Sequence, residues 1–285
     1  MAVDTIRWED AGDGVVNLVL DDPNQSANTM NADFGASMRK TVERLEAEKD
    51  AIAGVVITSA KKTFFAGGDL NDLKKVTPQT ADEFSGWVRE NKSFLRRLET
   101  LGKPVVACIN GAALGGGLEI ALACHRRIVV DDPKIQLGQP EVQLGLLPGA
   151  GGVVRVTRML GIVNGLMQVL LQGQRIRPAQ AKEIGLVDEL VSSPDELVPA
   201  AKQWIADNLD FFWIHGEHHG APAMVLEIRH AHPYSVHVRS VHGREVRRDD
   251  QEGAHSRLFL SHRLCARRAS RCGKWPSNPF RERCR

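Results

Sequence analysis

The sequence predicts an α/β domain, and two observations carry that prediction. Apolar, β-branched runs alternate with helically spaced apolar stripes through the first half of the chain, and a glycine run joins one strand-like run to a helix-like one. A third observation sets the limits. Residues 1–210 contain 12 Arg, 11 Lys and a single His, whereas residues 211–285 contain 13 Arg, one Lys and nine His. So sharp a change marks a boundary near Asp210, and the fold is sought before it.

Val15 to Leu20 is a β-rich apolar run stopped by Asp21-Asp22-Pro23-Asn24, hence a strand and a turn. Ile6 to Trp8 is its hairpin partner through Gly12-Asp13-Gly14. Asn31 can cap a helix reaching about Lys49, with Phe34, Met38, Val42 and Leu45 on one face. Ala53 to Thr58 reads as a buried strand. Thr80 to Thr100 reads as a helix whose core stripe is Phe84, Trp87, Phe94, Leu95 and Leu98. Pro104 to Ile109, Arg127 to Val130 and Ile135 to Leu137 are further strands, and Leu118 to Cys124 is an apolar helix. Helical patterns follow over Val153–Leu160, Val163–Leu171, Ala179–Ile184 after Pro178, and Asp195–Asn208.

Hydrophobic residues make up 42% of the 285, which suits a packed core. No apolar run approaches the ~18–20 residues of a membrane span, and the start lacks the pattern of a signal peptide. Before residue 210 only Cys108 and Cys124 occur, both inside apolar runs, so buried reduced thiols and the cytoplasm are expected. The net charge of +2 sums an acidic body and a basic tail.

Chemistry is concentrated at Gly111-Ala112-Ala113-Leu114-Gly115-Gly116-Gly117-Leu118-Glu119. A strand, a glycine turn and a helix start leave backbone N–H groups free for an anion, with Glu119 one turn on. By itself such a run marks a tight packing point more often than a site. Two other stretches join it: Phe64-Phe65-Ala66-Gly67-Gly68-Asp69-Leu70, and Gln139-Pro140-Glu141 followed by Pro148-Gly149-Ala150-Gly151-Gly152. In this order the three resemble the crotonase (enoyl-CoA hydratase/isomerase) superfamily, over roughly residues 5–209. The Pro23 to Asn31 segment and Arg158-Met159-Leu160-Gly161 are similar to the hydratase part of multifunctional fatty-acid oxidation alpha subunits.

The resemblance implies a crotonase-like β-β-α superhelix and hydration of a trans-2-enoyl-CoA in fatty-acid β-oxidation. It implies Glu119 acting on water and Glu141 on the α-carbon proton. It places an oxyanion hole at the N–H groups of Gly68 and Gly116, and a coenzyme A route along Ala66, Gly68, Asp69, Leu70, Asn71 and Gly116. The partners implied are an acyl-CoA thioester and further copies in a trimer or hexamer, or a thiolase. No cofactor and no metal are expected, since coenzyme A is part of the substrate. Glu119 and Glu141 stand slightly further apart than in many relatives, a difference the Asp131-Asp132-Pro133 turn can absorb. Enoyl-CoA isomerisation is the alternative activity, and an inactive acyl-CoA- or RNA-binding protein is the alternative from another class.

Asp69 has a second reading as a helix cap. Lys61 and Lys62 are candidates for coenzyme A phosphates. His125, after an apolar helix, reads as structural. Residues 211–285 match nothing in the family. Their Arg and His enrichment fits out-of-frame translation of a GC-rich gene, and an irregular tail is expected. His215, His218 and His219 lack the spacing partners of a metal site, and sparse aromatics argue against nucleic acid.

Overall fold

The apolar runs form the strands of one six-stranded sheet. In the computed structural model, residues 3–209 are described, and they belong to one contact unit. Expectations for residues 211–285, and the boundary at 210, lie outside the described residues. The hairpin is β1 (Ile6–Asp10) antiparallel to β2 (Val15–Leu20). From there the sheet is parallel: β3 (Gly54–Ser59), β4 (Val105–Ile109), β6 (Arg126–Val130) and β8 (Glu189–Val191). β4 is buried along its whole length, as expected of a parallel strand covered on both faces.

Each return adds the next strand at the same growing edge, so the strand order does not reverse among the described residues. Between each long strand and its helix the chain makes a second, shorter extended step. These steps pair with one another: Met30 with Gly68, Phe65 with Ala113, and β5 (Ala113–Leu114) with β7 (Leu137–Gly138). The wound β-β-α architecture implied by the resemblance is thus present.

The helices are α1 (Ala32–Glu48), α2 (Leu70–Leu73), α3 (Ala81–Glu99), α4 (Gly116–Leu122), α5 (Gly152–Leu160), α6 (Ile162–Gly165), α7 (Pro178–Glu183) and α8 (Leu197–Asp207). Asn31 caps α1, accepting the Phe34 N–H at 2.8 Å. Asp69 caps α2, accepting from the N–H groups of Asn71 and Asp72. α3 departs from its expected stripe. Phe94, Leu95 and Leu98 are buried, while Phe84 and Trp87 are half-buried and stack on each other at 5.8 Å. The predicted helix over 163–171 is α6 running into a wide π turn, Leu166–Leu170. β8 is a strand that periodicity did not predict; three residues carry no pattern of their own, and pairing with β6 makes them extended.

His125 is structural, as expected. Its Nδ1 accepts the Val105 N–H at 3.0 Å, so Nε2 carries the proton and donates to Glu99 O at 3.1 Å. Burial pushes its pKa down to about 4. Cys108 and Cys124 are buried free thiols, and burial raises both, Cys124 to about 12. Lys61 pairs with Asp21 at 2.9 Å beside Arg7, so the sheet already engages one of the two lysines considered for phosphate; Lys62 is exposed.

Candidate active site

α4 is buried throughout, and Glu119 is its only ionisable residue. The glycines allow this burial. Gly115 stands at φ +52°, and a Cβ there would meet Glu141 Oε1 at 2.7 Å. A Cβ on Gly117 would meet the Phe65 carbonyl oxygen at 2.3 Å. The α4 start is therefore pressed against the Phe65–Gly68 segment on one side and Glu141 on the other.

Backbone pairing fixes that contact. Phe65 N–H donates to Ala112 O and Leu114 N–H to Phe65 O, both at 3.1 Å. Met30 N–H donates to Gly67 O at 2.8 Å, and Asp69 N–H to Met30 O at 3.4 Å. This parallel bridge leaves the Gly68 N–H directed away from Met30. Gly116 opens α4, so its N–H has no partner within the helix. A Cβ on Gly116 would lie 3.8 Å from the Gly67 carbonyl carbon, which places the two glycine segments side by side.

Glu119 is 2% exposed, and its Oε1 accepts the Gly152 N–H at 2.7 Å. Burial raises its pKa, while the N–H groups of Gly152, Ala150 and Gly151 and the charge of Arg155 oppose the rise. Glu141 sits on a 3-10 turn, Pro140–Leu144, that follows β7. Burial pushes it up to about 7; its own N–H opposes this, and the charge of Glu119 adds to it. Gln139, 1% exposed, sets its amide 3.1 Å from both Glu141 oxygens. The amide can serve either state of Glu141, its NH2 donating to the carboxylate or its oxygen accepting from the acid.

The other predicted positions lie beyond Gly67. Ala66, Gly68, Leu70 and Asn71 are exposed, and Asp69 is half-buried. Burial of Asp69 is outweighed by hydrogen bonds from Asn71, Gln25 and Asp72, which hold its carboxyl below the usual range. Gln25 donates to it at 3.2 Å. The structure thus brings Glu119, Glu141, Gly68 and Gly116 around one turn, and residues 69–71 continue the chain from Gly68 toward the surface.

The order and spacing of these segments match the sequence model of the enoyl-CoA hydratase/isomerase family over residues 10–210. The chain belongs to the enoyl-CoA hydratase/isomerase family. Solved structures agree. An enoyl-CoA hydratase from Bacillus anthracis is 30% identical, covering 72% of this chain and 76% of that chain at a TM-score of 0.63. DspI of Pseudomonas aeruginosa is 31% identical, covering 73% and 75% at 0.64. An enoyl-CoA hydratase from Thermoplasma volcanium is 28% identical, covering 74% and 82% at 0.66. The general chemistry of this family member is therefore of the enoyl-CoA hydratase/isomerase type.

Sequence reasoning missed two residues of the site. Gln139 was seen only as the neighbour of Pro140-Glu141, yet it stands against Glu141 and against Gly152. Arg155 lies within the helical pattern predicted over Val153–Leu160 and was not singled out, but it is buried beside Glu99.

Proposed function

We propose that this protein hydrates trans-2-enoyl-CoA thioesters in fatty-acid β-oxidation. The observation that carries the reading is the pair Glu119 and Glu141, both raised by burial, set about the Gly115-Gly116 turn. Ionised Glu119 takes a proton from water as the water oxygen bonds to the β-carbon. The electron pair of the double bond moves toward the thioester oxygen, where the Gly68 and Gly116 N–H groups stabilise it. Glu141, with a pKa of about 7, is protonated in a large fraction of molecules near neutral pH and gives that proton to the α-carbon. Ala66, Asp69, Leu70 and Asn71 line the coenzyme A arm. The reaction needs no further cofactor and no metal.

In this reading residues 1–210 form the catalytic domain and residues 211–285 an Arg/His-rich tail outside it, in a cytoplasmic protein. Assembly as a trimer or hexamer, or with a thiolase, is supported by exposed apolar residues. Leu144, Leu146 and Leu147 stand out on the Glu141 side, and Val163, Met167 and Leu171 form an exposed row. No helix among the described residues is long and apolar enough to cross a membrane.

The test is hydration of a short trans-2-enoyl-CoA by the purified full chain. Turnover persisting in a Glu119→Gln, Glu141→Gln double variant would remove these residues from the chemistry. The depth of Glu119 favours one second reading, double-bond isomerisation, which needs only Glu141 as the proton carrier. Loss of hydration with isomerisation retained in Glu119→Gln would make hydration the two-carboxylate activity, as proposed. Loss of isomerisation alone would reverse the ranking.

A further inference from the structure

We propose that Arg155 is a positioning residue for Glu119, holding in place the 150–152 loop whose N–H groups grip the Glu119 carboxylate. The proposal rests on the reading of Glu119 as the group that activates water.

The loop has two sides. Toward α4 it turns its N–H groups, and Gly152 donates to Glu119 Oε1 at 2.7 Å. Away from α4 it turns the Ala150 carbonyl, which accepts from Arg155 Nη1 at 2.9 Å. The remaining guanidinium edge faces Glu99: Nη2 lies 3.2 Å from Oε2, and Nε 3.4 Å from Oε1. Glu99 also receives Arg96 Nη1 at 2.8 Å. Gly151 fits this arrangement in two ways. Its φ is +105°, and a Cβ there would stand 2.5 Å from Arg155 Nη1.

A buried ion pair is seldom worth more to stability than a well-packed apolar pair of the same size. Its planar fork, by contrast, holds fixed directions, which suits it to orienting a loop. The groups facing Glu119 or the guanidinium come from four elements. Arg155 faces from α5, and Glu141 from its 3-10 turn. Glu99 and Arg96 stand behind Arg155 on α3. His125, after α4, touches the Glu99 carbonyl with a neutral ring. Of these, only Arg155 both touches the loop and carries positive charge toward Glu119.

The experiment uses the full chain with Arg155→Met, Arg155→Lys and Glu99→Gln. Carbon-13-labelled glutamate is followed by NMR against pH, the Glu119 carboxyl signal being assigned by its loss in Glu119→Gln. Hydration kcat and KM are measured in parallel, and circular dichroism reports folding. Removing the guanidinium removes both charge and loop restraint, so Arg155→Met raises the Glu119 pKa and lowers kcat by about tenfold or more with little change in KM. Arg155→Lys recovers part of the charge but not the fork, so it falls between. Glu99→Gln leaves the guanidinium unneutralised and moves the Glu119 pKa down. Folded variants whose Glu119 signal titrates as in the parent, or in which Arg155→Met and Glu99→Gln shift it the same way, overturn the proposal. If Arg155→Met does not fold, Arg155→Lys and Glu99→Gln decide by the same opposition. A parent chain that hydrates no enoyl thioester refutes the functional reading instead, while the titration still decides what Arg155 does.

Discussion

Replacing Gly117 by alanine would drive a methyl group into the segment that carries Gly68. The added Cβ would stand 2.3 Å from Phe65 O, 2.8 Å from Phe65 Cβ and 2.9 Å from Phe65 C. A relaxed carbon-to-oxygen contact is about 3.3 Å, so α4 and residues 64–68 must separate by roughly 1 Å. Phe65 cannot yield by a side-chain rotation, because its backbone is pinned on both sides by Ala112 and Leu114 and its ring is buried. Overpacking of this kind costs about 1–3 kcal/mol of stability. The effect on rate should be larger. In the proposed mechanism Gly68 and Gly116 aim at one oxygen, and a misplacement of about 1 Å commonly costs about 10²-fold. The assay is steady-state hydration of a short enoyl-CoA alongside thermal unfolding. Gly86→Ala is the control, since a Cβ there meets nothing within 4 Å and alanine favours its helix by about 1 kcal/mol. Wild-type kcat and Tm in Gly117→Ala would refute the claim that close approach at this glycine sets the site.

Further outcomes follow from three named groups. In the proposed mechanism Glu141, protonated below about pH 7, acts as the acid, so kcat falls as pH rises above that value, and a pH–rate profile of Glu141→Gln should lack this limb. Because the folded protein holds that proton between pH 4.5 and about 7 and the unfolded chain does not, Glu141 loses stability as pH rises through the window. Glu141→Gln should therefore be more stable at pH 8 in urea titrations, by on the order of 1–3 kcal/mol. His125 runs the other way: its pKa falls from 6.5 to about 4 on folding, so stability is lost as pH drops through that range. Up to about 3 kcal/mol is involved, and an unchanged acid slope in His125→Asn would contradict it. Asn28 accepts the Asp22 N–H and donates toward Leu20 O, Ser59 Oγ and Phe64 O, tying the first loop to the second turn of the winding. Asn28→Ala should cost about 2–4 kcal/mol in chemical denaturation, because buried carbonyls lose their donor.

What could be read from the sequence was whatever a short stretch decides about itself. β2 was legible because a six-residue run, apolar except at Asn17, ends at an Asp-Pro turn, and the caps at Asn31 and Asp69 because a side chain reaches its own helix start. The glycine turn was legible as a helix opening, and Glu119 and Glu141 through the motifs around them. Tertiary structure decided what those pieces face. β8 is extended only because β6 lies beside it. Lys61 meets Asp21 because β3 runs parallel to β2, pairing Ser59 with Leu20. Phe84 and Trp87 follow the helical stripe yet stay half-buried, since only the later turns of α3 reach the deep core. Arg155 and Gln139 show the same division at the site. Nothing local distinguishes a buried arginine on an amphipathic helix from a surface one, because its counter-ion lies 56 positions away. Periodicity fixes which face of an element is apolar. The winding, through strand pairing and glycine contacts between distant residues, fixes which group meets which.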